Sequence, residues 1–223
     1  MRSLFKTILP ALALAVAFSG AAKAADRGVR ILAFGDSLTQ GFGVPPGLDF
    51  PNVLERALKA RGLNVNVINA GVSGDTSAGG LARLDWSLGD AKSTPDAAIL
   101  ELGTNDGLRG LPPVEMEKNL DAILAKFKAR NVPVLLAGMK GPRNYGAQYA
   151  AEFDAVFPRL AKKYGVLFYP FFLEGVALDP GLVQPDGLHP NPKGVEAVVK
   201  SIAPLAVRLV QQVKRAPAGS SAR

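Results

Sequence analysis

Short apolar runs alternate with helical patterns along most of the chain. Apolar runs at 29–34, 64–68, 97–102, 132–137 and 166–169 predict buried strands. Between them apolar residues recur every three or four positions, as at Val53, Leu54, Ala57 and Leu58, which predicts amphipathic helices. These helices are expected at 49–61, 76–88, 112–130, 148–164 and 192–213.

Strands that alternate with helices predict an α/β fold, in which helices cover both faces of a parallel sheet. Ligands of such sheets bind outside the carboxyl ends of the strands. We therefore expect the chemistry of this protein in the loops that follow the strands. Those loops are 35–46, 69–75, 103–111, 138–147 and the stretch before Pro192.

The two ends of the chain are predicted to lie outside a single domain at 25–215. Residues 1–24 have a signal-peptide pattern, in which basic residues precede an apolar run and Ala22-Lys23-Ala24 fits a cleavage site. The apolar run is shorter than the roughly 20 residues of a membrane-spanning helix. An N-terminal amphipathic helix is the alternative, but the run shows no polar face. The small and polar residues at 216–223 predict a disordered tail.

The signal-peptide pattern predicts an exported protein, periplasmic or secreted. Removal of Arg2, Lys6 and Lys23 with that segment leaves a formal net charge of +4 from the +7 of the whole chain. The remaining basic residues are scattered, so no nucleic-acid partner is predicted. The chain has no cysteine, which excludes disulfides and thiol nucleophiles. A cysteine-linked lipid anchor is excluded as well, and no stable membrane anchor is expected.

The first two loops contain a possible nucleophile and a small residue. Ser37 lies just past the first strand, in the run Gly35-Asp36-Ser37-Leu38-Thr39-Gln40-Gly41. The alternative is a serine that caps a helix or forms a turn. In the second loop Gly71 would let the backbone approach a ligand closely, whereas Ser73 or Asp75 could simply cap the following helix.

The third and last loops add an amide and an Asp-x-x-His pair. Asn105 could donate a hydrogen bond to an oxyanion, or it could form an Asx turn with Asp106 and Gly107. Asp186 could orient His189, the only histidine in the chain. The alternative is a structural histidine. A metal site needs more ligands than one histidine supplies, so no metal or other cofactor is predicted.

Together the loops supply the parts that acyl transfer needs: a nucleophile, a base, a residue that orients the base, and oxyanion donors. Other scaffolds fit less well. The sequence has no G-x-S-x-G elbow of an α/β-hydrolase, no P-loop and no G-x-G-x-x-G dinucleotide motif.

Four sequence blocks resemble those of the SGNH (GDSL) hydrolase family. Gly35-Asp36-Ser37-Leu38 resembles the first block and Gly71 in Asn69-Ala70-Gly71 the second. Gly103-Thr104-Asn105-Asp106 resembles the third, and Asp186-Gly187-Leu188-His189-Pro190 the fifth. The resemblance implies a three-layer, flavodoxin-like α/β/α fold with a five-stranded parallel sheet.

The resemblance also implies roles for single residues. Ser37 would be the nucleophile and His189 the base, oriented by Asp186. The oxyanion hole would consist of the backbone N–H groups of Ser37 and Gly71 together with the side chain of Asn105.

Within the family, the chain is similar to an exported bacterial branch of acyl-CoA thioesterases, lysophospholipases and arylesterases. Gly107-Leu108-Arg109-Gly110 and the stretch 139–146 carry this similarity. It implies a small-molecule acyl ester or thioester substrate, and we expect a medium or long acyl chain. The residues expected to bind that chain are Leu108, Met139 and Tyr145, with Leu111 and Phe172 as further candidates. The alternative is that most of these residues belong to the core. The alternatives are an acetyl-carbohydrate esterase of the same family and a non-catalytic binding module.

Overall fold

A computed structural model of the chain describes residues 27–90 and 93–215. Five strands form one sheet: β1 (Val29–Gly35), β2 (Val65–Gly71), β3 (Ala97–Glu101), β4 (Val134–Ala137) and β5 (Leu167–Tyr169). All pairings are parallel, in the order β2-β1-β3-β4-β5. The predicted five-stranded parallel sheet is therefore confirmed, and its strand order is that of flavodoxin-like folds.

Helices cover both faces of this sheet. One layer contains α2 (Phe50–Lys59) and α7 (Pro192–Arg215), which contact each other. The other layer contains α3 (Ser77–Leu88), α5 (Pro113–Ala129) and α6 (Ala147–Tyr164), packed side by side. Three shorter segments lie in the loops after strands: α1 (Ser37–Gln40), α4 (Thr104–Leu108) and a 3₁₀ turn (Arg143–Tyr145).

The helices of the first layer begin at residues that cap their first turns. The Asp49 side chain accepts the N–H of Asn52 at the start of α2. The Asn191 side chain accepts the N–H of Gly194 at the start of α7. Between the layers, β3 and β4 are buried along their whole length, as expected for central parallel strands.

The observed bounds agree with the predicted ones to within two residues for nine of the ten long elements. The exception is β2, which continues to Gly71 rather than ending at Ile68, because its last three residues pair with 33–35 of β1. The sequence does not predict α1, α4 or the 3₁₀ turn, which are too short to show a hydrophobic period. The predicted signal peptide (1–24) and tail (216–223) lie outside the described residues.

The carboxyl edge of the sheet between β1 and β3 is where the chain connections diverge. After β1 the chain leads to β2 on one side, whereas after β3 it leads to β4 on the other. Such a switch point opens a crevice for ligands. Ser37 follows β1 and Asn105 follows β3, so both lie beside it. Among the described helices, none is both long and apolar enough to cross a membrane.

Candidate active site

Ser37 is the first residue of α1, immediately beyond β1. The side chain of Asp36 caps this turn by accepting the N–H of Leu38 at 3.0 Å. The turn packs closely on the strand ends, since a Cβ added at Gly35, the last residue of β1, would meet the Thr39 hydroxyl and lie 2.5 Å from the carbonyl oxygen of Glu101 in β3. Ser37 is 9 % exposed. Its hydroxyl is thus held at the end of a buried strand.

His189 and Asp186 meet Ser37 although 152 residues separate the histidine from the serine. His189 Nε2 lies 2.9 Å from Ser37 Oγ, and His189 Nδ1 lies 2.7 Å from Asp186 Oδ2. The other oxygen of Asp186 accepts the backbone N–H groups of Leu188 and His189 at 2.9 and 3.1 Å. The three predicted residues therefore form one continuous series of hydrogen bonds.

The charge of Asp186 decides which nitrogen of His189 carries a proton. Hydrogen bonds from the backbone of Leu188 and from the His189 side chain lower the pKa of Asp186 to about 2, so it is ionised at neutral pH. An anionic acceptor holds the imidazole proton on Nδ1 and leaves Nε2 free to accept. That tautomer can remove a proton from the Ser37 hydroxyl.

The loop 184–191 that carries both residues is closed at its base by backbone contacts. The Gln184 N–H donates to the carbonyl of His189 at 2.7 Å, and Val183 pairs with Pro190 in an isolated bridge. The Asn191 amide donates to the carbonyl of Gly181 at 2.9 Å. Asp186 and His189 are therefore presented together, just before α7.

Two of the three predicted oxyanion donors, the Gly71 N–H and the Asn105 side chain, lie against the turn that holds Ser37 and have hydrogen-bond partners in this structure. The Gly71 N–H donates to Asn69 Oδ1 at 3.0 Å. Asn105 Nδ2 donates to the carbonyl of Asp75 at 2.9 Å and to Asp36 Oδ2 at 3.2 Å. A substrate would have to share or replace these bonds before either group could stabilise an oxyanion.

Gly71 occupies a position that only glycine fits. A Cβ at this residue would lie 2.2 Å from the backbone nitrogen of Gln40 and 2.8 Å from the carbonyl oxygen of Asp36. The end of β2 therefore lies directly against α1.

A buried carboxyl pair, Asp36 and Glu101, lies behind Ser37 and is not apparent from the sequence motifs. Glu101 Oε2 accepts the Thr39 hydroxyl at 2.7 Å and the Asp36 N–H at 3.4 Å. Burial raises the pKa of Asp36 to about 6. Burial, together with the charge of Asp36, raises the pKa of Glu101 well above its usual range. The one signal in the sequence is an acidic residue that ends an otherwise apolar strand, 97–101.

Asp106 anchors the loop that carries Asn105. Its buried carboxyl group accepts the N–H and the hydroxyl of Ser77 at 2.7 and 2.6 Å, and Asn119 donates to the same hydroxyl at 3.0 Å. Burial raises the pKa of Asp106. The first turn of α4 is thereby fixed to the first turn of α3.

The residues predicted to bind an acyl chain divide into two groups. Leu108 and Tyr145 are each 45 % exposed, and the Tyr145 hydroxyl donates to the carbonyl of Leu108 at 3.1 Å. Met139 and Phe172 are instead buried in the core. The segments after β4 and β5 stay paired beyond the strands, with the Phe172 N–H donating to the carbonyl of Gly138 at 2.8 Å. In this structure Met139 therefore offers almost no surface to a ligand.

The chain is similar to known proteins over most of its length. The family model described as GDSL-like Lipase/Acylhydrolase matches residues 33–197, a span that contains all five predicted catalytic and oxyanion-hole residues. An arylesterase of Vibrio mimicus is 38% identical over 195 residues, which cover 87% of this chain and 95% of that protein. Thioesterase 1/protease 1/lysophospholipase L1 of Escherichia coli strain K12 is 41% identical over 189 residues, which cover 85% of this chain and 86% of that protein.

The fold agrees with these sequence relationships. The crystal structure of AlinE4, an SGNH-hydrolase family esterase, superposes with a TM-score of 0.69 at 48% identity, over 81% of this chain and 96% of that one. The chain therefore belongs to the GDSL-like lipase/acylhydrolase family and is a hydrolase of the esterase and thioesterase type.

Proposed function

We propose that this hydrolase cleaves carboxylic ester or thioester bonds through a Ser37–His189–Asp186 triad and a covalent acyl-enzyme. The observation that carries the proposal is the series of contacts from Ser37 Oγ to His189 Nε2 and from Nδ1 to Asp186 Oδ2, at 2.9 and 2.7 Å. A hydroxyl, an imidazole and an ionised carboxylate in that order form the arrangement that activates a serine.

The first half of the reaction forms the acyl-enzyme. His189 Nε2 accepts the Ser37 proton as Ser37 Oγ attacks the carbonyl carbon, and the carbonyl electron pair moves onto its oxygen. Asp186 stabilises the imidazolium that results. When the intermediate collapses, the imidazolium proton passes to the departing oxygen or sulfur, which leaves as an alcohol or a thiol.

The second half of the reaction returns the enzyme to its starting state. His189 takes a proton from water as the water oxygen attacks the acyl carbon. Collapse of this second intermediate breaks the bond to Ser37 Oγ, which recovers a proton from His189, and the carboxylic acid is released. One histidine serves both halves, and the chain contains only one.

The negative oxygen of each intermediate would be stabilised by the N–H groups of Ser37 and Gly71 and by the side chain of Asn105. Asn105 already reaches Asp36, the neighbour of Ser37. Its bond to Asp36 is 3.2 Å long, against 2.9 Å for its bond to Asp75. We expect the oxyanion to share or replace one of these two bonds.

Exposed apolar side chains at the carboxyl edge favour a medium or long acyl chain over an acetyl group. Leu108 and Tyr145 contact each other there, and Leu111 is also partly exposed. The activities named for the two relatives, arylesterase and thioesterase/lysophospholipase, support acyl esters and thioesters as substrates. An acetyl-carbohydrate esterase is the alternative within the family.

The test is hydrolysis of p-nitrophenyl esters of graded chain length, with wild type beside Ser37→Ala. We expect wild-type activity that is greatest on medium or long chains and is abolished in the variant. A serine-reactive phosphonate should label wild type once and leave Ser37→Ala unlabelled. Turnover or labelling that survives in the variant would contradict the triad. Absence of both in wild type would support a non-catalytic binding module.

We also propose that the enzyme is exported, periplasmic or secreted, after cleavage following Ala24. The proposal rests on the signal-peptide pattern of residues 1–24. N-terminal sequencing of the protein from its native host should begin at Ala25. A native protein that begins at Met1 would contradict it.

A further inference from the structure

The ring of Phe42 packs on the imidazole of His189, with ring centroids 4.7 Å apart and planes inclined by 41°. Phe42 lies in the irregular segment after α1 and is 51 % exposed, so it contributes little to the core.

The backbone of Phe42 makes hydrogen bonds to Ser37 and to the loop that carries His189. Its N–H donates to the carbonyl of Ser37 at 3.1 Å. Its carbonyl accepts the side-chain amide of Gln184 at 2.7 Å, and the same amide donates to the carbonyl of Pro190 at 3.0 Å. Gln184 therefore ties the segment that carries Phe42 to the loop that carries His189.

The position of the ring suits a base that becomes charged during turnover. Both nitrogens of His189 make hydrogen bonds in the plane of the ring, Nδ1 with Asp186 and Nε2 with Ser37. Further support for the imidazole must come through a ring face, and Phe42 packs there. The face of an aromatic ring carries partial negative charge and attracts a cation placed over it.

We propose that Phe42 is a positioning residue for His189, which fixes the tilt of the imidazole and stabilises its cationic form during acyl transfer. The role rests on the proposed function, in which His189 is the base. The charged groups that face His189 are Asp186 on its own loop and Asp36 on the turn before α1. The 41–48 segment contributes no charged residue, so substitution of Phe42 leaves the local charges in place.

The test compares Phe42→Leu, which keeps an apolar cover but removes the aromatic face, with Phe42→Tyr, which keeps the face. In Phe42→Leu we expect kcat to fall about 2- to 5-fold on a neutral p-nitrophenyl ester. The midpoint of the acid limb of its kcat/KM profile should move to lower pH by about half a unit. Phe42→Tyr should keep both kcat and the midpoint of the acid limb at their wild-type values. Trp86→Ala, which removes an exposed aromatic residue from α3, is the control and should match wild type.

A second readout does not depend on turnover. Because the chain has one histidine, its imidazole Cε1–H signal in proton NMR follows His189 directly. We expect the titration midpoint in Phe42→Leu to lie about half a unit below that of wild type. Equal midpoints in the two proteins, or a Phe42→Tyr variant that behaves like Phe42→Leu, would overturn the proposal. Failure of the triad itself would appear instead as activity or phosphonate labelling that survives in Ser37→Ala.

Discussion

Ser37 and His189 are held in place in opposite ways. Ser37 begins a short helix at the end of a buried strand, on a turn whose hydrogen bonds lead to the buried carboxyl group of Glu101. His189 lies on an irregular loop that is closed by a few backbone contacts and by Asp186. The fold as a whole positions the serine, whereas a local loop positions the histidine.

The aspartates of these two regions differ in the same way. Burial raises the pKa of Asp36 to about 6, whereas backbone hydrogen bonds on an exposed loop lower the pKa of Asp186 to about 2. Asp36 is adjacent to Ser37 in sequence, yet it caps a turn and contacts Asn105. The carboxyl group beside Ser37 thus supports the geometry of the turn, and we propose that the distant one, Asp186, orients His189 and stabilises its charge.

The largest loss of turnover is expected from a substitution in the exposed loop, at Asp186. Asp186→Asn should lower kcat by about 10⁴-fold, because a neutral amide no longer holds the imidazole proton on Nδ1. The loop is exposed, so the melting temperature should change little. Steady-state kinetics and thermal unfolding of the same sample test both statements. A variant with more than a tenth of wild-type kcat would show that Asp186 does not orient the base.

A smaller effect is expected at Asn105, which contacts Asp36 beside Ser37. Asn105→Ala should lower kcat by about 10²–10³-fold with little change in KM, the usual cost of one lost oxyanion donor. Asn66→Ala, which removes an exposed amide from β2, is the matched control and should retain wild-type turnover. Near-normal kcat in Asn105→Ala would remove its side chain from the oxyanion hole.

The smallest effect on turnover is expected at the buried carboxyl pair behind Ser37. A substitution there should instead change the stability of the fold. An acid with a raised pKa binds its proton more tightly in the folded state. The pair Asp36 and Glu101 therefore favours folding most at low pH and loses that contribution as the pH rises through about 6 and above. Glu101→Gln keeps an acceptor for Thr39 and removes one titrating group.

We expect Glu101→Gln to raise the melting temperature at pH 8 by a few degrees and to change it less at pH 5. Turnover should stay within a few-fold of wild type. Calorimetry at the two pH values, with the surface variant Glu115→Gln as control, measures the difference. An identical pH dependence of melting in Glu101→Gln and wild type would show that folding does not raise the pKa of Glu101.

The sequence predicted the sheet and the site motifs because both leave local signals. Buried parallel strands give continuous apolar runs. Helices show apolar residues every three or four positions over at least three turns. The Asp-x-x-His pair and the glycines near Ser37 are likewise short-range patterns. These features required no knowledge of which distant residues would meet.

Other features depend on contacts between distant segments and could not be predicted in this way. The burial of Met139 follows from pairing of the chain beyond β4 and β5. The role of Glu101 depends on its meeting Asp36 and Thr39 across the gap between two strands. The contact between Phe42 and His189 likewise joins two segments that are far apart in sequence and are also linked by Gln184.

The closed loop that carries Asp186 and His189 should also determine how the enzyme loses activity on heating. The two residues lie three positions apart, so their mutual geometry is set within the loop itself. Its contacts with Ser37 and with Phe42 are set by the wider fold. Local opening of a weakly held segment requires less free energy than global unfolding. Thermal inactivation should therefore begin below the melting temperature and reverse on cooling, as the loop leaves α1 and returns to it.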